Sequence, residues 1–142
     1  MAFNLNPSNI FEPKHENMFI CDFPDEFCIP SYLVKKISPV KYLCNGGKHR
    51  WGHQKWERMT FSLYSPIAPS VDQILFNIVK KNFKEIKKIS IQELDRLGEV
   101  ISEMWIMRSH IIDIDFGKLD WGSADFKEAT IKIIPEDIII KM

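Results

Sequence analysis

The last third of the chain, residues 91–140, limits the fold more than any other stretch. Ile112, Ile114 and Phe116 alternate with Asp113 and Asp115, the period-2 pattern of a half-buried strand. Asp95-Arg96-Leu97-Gly98 is a short turn with glycine where a positive φ is wanted, so it should close a hairpin. The phrase FGKLDWGSADF follows, then a strand-forming run, EATIKIIPEDIII. Such a region reads as strand after strand joined by tight turns, with no catalytic grouping in it.

The rest of the chain extends the β reading. Residues 17–22 should form a short strand with Met18 and Ile20 on one face and Phe19 and Cys21 on the other. DFPDEFCIP (22–30) is turn-rich. Residues 32–37 form a second strand stopped by Pro39, with Lys35 and Lys36 on opposite faces. Residues 58–64 alternate most cleanly: Met59, Phe61 and Leu63 against Arg58, Thr60, Ser62 and Tyr64.

One helix is expected over about residues 70–82. Ser70 and Gln73 make a capping box. Val71, Ile74, Leu75, Ile78 and Val79 fall at i, i+3, i+4, i+7 and i+8, a single apolar packing face. About a dozen residues are marginal as an isolated helix, so docking on a sheet must stabilise it. Lys80, Lys81, Lys84, Lys87 and Lys88 crowd its end and the following turn. Cations suit a helix C-terminus, but five exceed what capping needs. The predicted class is therefore mainly β, a β-sandwich or small β-barrel with one flanking α-helix.

A chain of 142 residues has the length of one domain. Residues 1–16, polar and asparagine-rich, read as a flexible N-terminal arm. Nineteen basic and nineteen acidic residues cancel, so net charge makes no case for nucleic-acid binding. The charge is nevertheless uneven. Residues 1–91 carry 13 Lys+Arg against 8 Asp+Glu, and residues 92–142 carry 6 against 11. Opposite regions can pair between copies; the alternative is that they are simply solvated faces. Cys21, Cys28 and Cys44 are an odd number without framework spacing, which suggests free thiols in a reducing compartment. Met1 is followed by AFNLNPSNIF, without a basic n-region or apolar h-region, so no signal peptide is expected. Apolar runs are too short for a membrane span.

Groupings that carry chemistry are sparse. Cys44, His49 and His53 are the best metal candidates, but three ligands without CxxC spacing also fit an exposed basic loop. Asp22, Asp25 and Glu26 crowd together, which serves acid–base work or ordinary turn formation. A Cys–His nucleophile pair has no spacing to support it, and cysteine is commonly a small buried hydrophobe. The irregular segment 41–56 mixes Lys48, Arg50 and Lys55 with Trp51 and Trp56. That mixture grips single strands of nucleic acid or anchors a protein contact; zero net charge favours the protein.

Three blocks resemble the tail tube proteins of contractile-tailed bacteriophages, a family related to the type VI secretion tube protein. They are ENMFICDFPDEFCIPSYLVKKISPVKY (16–42), RMTFSLYSPIAPSVDQILFNIV (58–79) and the C-terminal block 91–140, the most specific of the three. The loop 43–56 is richer in Gly, His and Trp than the family pattern, and the lysine-rich 80–88 stretch is unusual. These departures leave room for a tube initiator, terminator or baseplate relative.

The resemblance implies a structural virion protein and no enzyme, with no cofactor. Six copies would form a ring, and rings would stack into a tube for genome delivery. Partners would be the sheath, baseplate or neck proteins, with DNA passing through the lumen unread. Assembly would occur in host cytoplasm. The resemblance also implies ring-to-ring contacts through Lys48, Arg50, Trp51, Lys55 and Trp56. Charge contacts between subunits are expected between Lys80, Lys81, Lys84, Lys87 or Lys88 and Asp113, Asp115, Asp120 or Asp125. The competing class is a small monomeric binding module using loop 45–56.

Overall fold

The computed structural model describes residues 13–44 and 56–141. The chain forms strands β1 (Phe19–Asp22), β2 (Val34–Ile37) and β3 (Met59–Tyr64), helix α1 (Val71–Lys80), then β4 (Glu85–Leu94), β5 (Val100–Asp115), β6 (Glu128–Ile134) and β7 (Asp137–Lys141). All pairings are antiparallel. The order is β1-β4-β5-β6-β3-β2, with β7 also on β5. This is the mainly β, sandwich-like fold with one flanking helix that the sequence predicts; the sheet does not close into a barrel.

β5 organises the molecule. Its 16 residues are nearly three times an ordinary strand. The first half, Glu103–Met107, lies between β4 and β7; the second half, from His110, pairs with β6. Between the halves sits Arg108 with φ 51, a left-handed backbone that bends the strand. Across the ladder, Pro135-Glu136 separates β6 from β7. Proline has no N–H for a ladder bond, so the partner strand breaks at the same level. The chain thereby passes from one layer (β1, β4, β5, β7) into another (β5, β6, β3, β2), the way a strand makes a corner between packed sheets. The sequence reading had one terminal strand where Pro135 makes two.

The core lies between these layers. Cys21, Met59, Phe61, Leu63, Ile86, Ile89, Ile91, Ile106, Ile131 and Ile133 are buried in one cluster, which Val71, Leu75 and Ile78 of α1 join. Phe23 meets Phe61 edge-on at 5.3 Å between centroids, a favoured aromatic geometry. Ser70 caps α1: its Oγ accepts the Gln73 N–H at 3.3 Å. Asp72 stands in the first turn and Lys80 in the last, both favourable to the helix dipole.

Three expectations need correction. Val79 is 51% exposed and lies outside the packing face, because i+8 falls at the far margin of the stripe set by Val71, Leu75 and Ile78. Lys87 and Lys88 belong to β4, so the lysines do not share a turn. The alternation at 112–116 is interrupted by a bulge between Ile111 and Asp113. Ile111 and Ile114 pair with Ile133 and Ile131 and are half buried, while Ile112 is exposed.

Candidate assembly surfaces

Among the described residues, three strands end the sheet with one side unpaired: β1, β2 and β7. Unpaired edges invite another strand unless guarded, and lysine is a common guard. β2 carries Lys35 and Lys36, both exposed. Lys35 reaches Glu128 Oε2 at 2.7 Å and lies 5.7 Å from the Tyr64 ring centroid. The hydrogen bond and charge of Glu128 raise the Lys35 pKa. β7 has a different character: Ile139 and Ile140 are exposed, and only Lys141 at its end carries positive charge.

The outward face of the β4–β5–β7 layer holds a polar cluster around Trp105. Lys88 and Lys141, from the two flanking strands, each place Nζ 3.6 Å from the Trp105 ring centroid. Glu103 accepts hydrogen bonds from Trp105 Nε1 and, at 2.9 Å, from Ser90 Oγ. The Trp105 and Ser90 hydrogen bonds, with Lys88 and Lys141 nearby, hold the Glu103 carboxyl below its ordinary pKa. Closer to the hairpin, Glu93 accepts from Ser102 Oγ at 2.8 Å and from Lys14 Nζ at 3.1 Å. Burial opposes its charge, but those bonds outweigh burial and lower its pKa. Lys14 thus ties the described end of the N-terminal arm to β4. The Trp105 cluster escaped the sequence reading because its members come from three strands whose register no local pattern reveals.

The loop 116–127 is built from short-range bonds. Asp115 Oδ1 accepts the Gly117 N–H at 2.8 Å, Asp120 Oδ1 the Gly122 N–H at 2.9 Å, and Ser123 Oγ the Asp125 N–H at 3.1 Å. Gly117 has φ +100, and a Cβ there would meet Glu128 O at 2.6 Å, so glycine is required. Lys127 Nζ bonds both Asp72 oxygens, at 2.9 and 3.1 Å, fastening the loop to the start of α1. Several polar groups are used in these internal bonds, while three large apolar side chains are left outside. Leu119 is 85% exposed, Phe126 92%, and Trp121 fully exposed.

The sites expected from sequence are dispersed. Lys48, His49, Arg50, Trp51, His53 and Lys55 lie outside the described residues. Trp56 is half buried and packs on Tyr42, with ring centroids 4.9 Å apart, so its indole already has a partner within the chain. Cys44 and Cys28 are exposed free thiols. Cys21 is buried; burial, then the Asp22 charge, pushes its thiol pKa up, which suits a core hydrophobe and not a nucleophile. Among the described residues no three His, Cys, Asp or Glu side chains gather in a metal-binding arrangement. Asp22, Asp25 and Glu26 are exposed around a one-turn 3-10 helix, Asp25–Phe27. They share a shallow surface hollow with Lys87 and Lys88.

Lys80, Lys81, Lys84, Lys87 and Lys88 are all exposed, but they spread from α1 to β4, and Lys88 is engaged with Trp105. Of the proposed acidic partners, Asp113 lies 4.0 Å from Lys132 and Asp120 3.5 Å from Lys118. Asp115 serves the loop turn, and Asp125 is exposed near Lys35.

No family model and no curated protein sequence matches this chain. Solved structures do. A chain of the sheath–tube complex of an extracellular contractile injection system (PVC), in its extended state, is 15% identical and superimposes with TM-score 0.66, covering 99% of each chain. A chain of the tube-terminating cap of the anti-feeding prophage gives 14% identity and TM-score 0.63, over 100% of this chain and 95% of that one. Hcp1 from Flavobacterium johnsoniae gives 15% identity and TM-score 0.56, over 87% and 94%. The fold is shared with these chains of the sheath–tube complex, the terminating cap and Hcp1.

Proposed function

We propose that this chain is a structural subunit of a contractile tail or phage-like injection particle, forming six-membered rings that stack into a tube. The observation that carries the reading is the end-to-end match to the sheath–tube complex, which covers 99% of both chains at TM-score 0.66. The open edges of β1, β2 and β7 fit this role, because a closed ring of copies is a natural way to occupy them. In this role the chain has no catalytic task. It surrounds a lumen through which genome passes and lies inside a sheath. Its loop 45–56 provides ring-to-ring contacts.

A tube terminator is the second reading, since the terminating cap matches nearly as well, at TM-score 0.63 over the whole chain. Sedimentation and electron microscopy of purified protein separate the two. Unlimited stacking of rings marks the tube subunit, and single rings that bind a tube end mark the terminator. Protein that stays monomeric at high concentration, alone and with other tail components, refutes both.

A further inference from the structure

We propose that copies of this chain join head to tail through two apolar poles at opposite ends of β5: the β4–β5 hairpin of one copy and the 116–127 loop of the next. The proposal rests on the self-assembly reading above and specifies the contact.

The first pole is the hairpin tip. Leu97 is 80% exposed, and Val100 and Ile101 are exposed with it. The turn is fixed: Asp95 Oδ1 accepts the N–H groups of Leu97 and Glu99 at 2.9 Å, and Gly98 holds φ +86. The second pole is Leu119, Trp121 and Phe126, presented by a loop whose own bonds fix it. Neither pole is the accidental exposure of a loose segment.

Their placement decides the partner. The 16 residues of β5 separate the poles by at most roughly 50 Å of strand at 3.3 Å per residue. Within one copy the hairpin lies beside the start of β1, where the Leu94 N–H donates to Met18 O, and the loop lies beside the start of α1, where Lys127 meets Asp72, so the two poles have different neighbours. Leu119, Trp121 and Phe126 expose on the order of 500 Å² from ordinary side-chain sizes, near the upper limit for a patch on a monomer. The hairpin brings the total to roughly 800 Å² of apolar surface, about two-thirds of what the smallest specific interfaces bury. The polar rims of both turns supply the remainder. Loop against loop would give a closed two-fold dimer and leave both hairpins bare. Hairpin against loop covers both kinds of pole in every interior copy and leaves one of each only at the ends of a growing assembly, as a heterologous contact does.

Cross-linking tests this in the full chain, with Cys28→Ser and Cys44→Ser as background. Leu97→Cys and Trp121→Cys are made singly and together, and treated with a short bifunctional maleimide. The double variant should give a ladder of linked oligomers, and the mixed single variants a linked dimer. Trp121→Cys linking to itself would overturn the proposal in favour of a two-fold contact. A background protein that forms rings or tubes without 97–121 links would overturn this contact and leave the self-assembly reading standing. Failure of the wild-type chain to assemble would overturn both. As a second variant, Leu119→Ser with Trp121→Ser should raise the concentration needed for assembly at least tenfold with an unchanged melting temperature; unchanged assembly would count against the loop.

Discussion

Glu103 and Trp105 stand two residues apart on β5, and the carboxylate of the first accepts the indole N–H of the second. Both side chains lie on the outward face, and the ammonium groups of Lys88 and Lys141 complete the cluster. The Glu103 pKa is lowered, first by the Trp105 hydrogen bond and then by Ser90. A carboxyl with a depressed folded-state pKa stabilises the fold above its unfolded pKa, and that contribution fades as pH falls through the folded value. The melting temperature should therefore drop on acidification below the ordinary carboxylate range. Glu103→Gln should remove part of that pH dependence. Identical pH profiles for the two proteins would show that the cluster contributes nothing to stability.

Leu75 and Val79 divide the helix into a packed and an exposed part. Leu75 is fully buried, so Leu75→Ala should destabilise by about 2–5 kcal/mol. Val79→Ser should stay within about 0.5 kcal/mol, as for ordinary surface changes. Thermal or denaturant unfolding reads both. Equal effects at the two positions would mean that the helix docks differently.

Ser109 follows the left-handed Arg108 at the bend in β5. It is completely buried, and its Oγ has no hydrogen-bond partner among the described residues. A buried hydroxyl without a partner is a penalty that alanine avoids. Ser109→Ala should be neutral or stabilising by up to about 1 kcal/mol. A loss of more than that amount on unfolding would reveal a partner for the hydroxyl. Gly117→Ala should act in the opposite direction, because φ +100 and the Glu128 carbonyl both exclude a Cβ. Its melting temperature should fall, corresponding to more than about 1 kcal/mol.

The fold was legible where local chemistry decides it. Ser70 and the spacing of Val71, Leu75 and Ile78 announce α1, and Gly98 announces the hairpin. Met59, Phe61 and Leu63 alternate because one face of β3 meets the core. Legibility fails where two distant strands must be known together. The bulge at Ile112 answers the register of β6. The bend at Arg108 lies opposite Pro135, and neither residue signals it alone. The same limit hid the Trp105 cluster, whose lysines come from β4 and β7. It also made the lysines look like one group, although Lys80 and Lys88 belong to different elements. The exposed loop 116–127 was visible as a phrase, but its outward apolar side chains follow from turns whose polar groups satisfy one another.

The uneven charge along the chain motivates a final prediction about assembly. Lys88 is engaged with Trp105 within its own subunit, so it is a poor probe of contacts between copies. Lys84 and Lys87 are exposed, and Lys87 borders the hollow that also contains Asp22, Asp25 and Glu26. Part of the chain's opposite charge is therefore already brought together inside one copy, which weakens any salt effect on assembly. If the remainder acts between copies, association should loosen as salt rises, since exposed charges are screened beyond roughly 8 Å at physiological ionic strength. Lys84→Glu with Lys87→Glu should then hinder ring formation, and reversing Asp120 and Asp125 to Lys should restore it. The fold should tolerate the lysine changes, because both side chains face solvent. Light scattering across a salt series, with ring counts by electron microscopy, measures each step. Assembly indifferent to salt and to both reversals would leave the lysines as a face for solvent or sheath. The apolar poles and strand edges would then hold the copies together unaided.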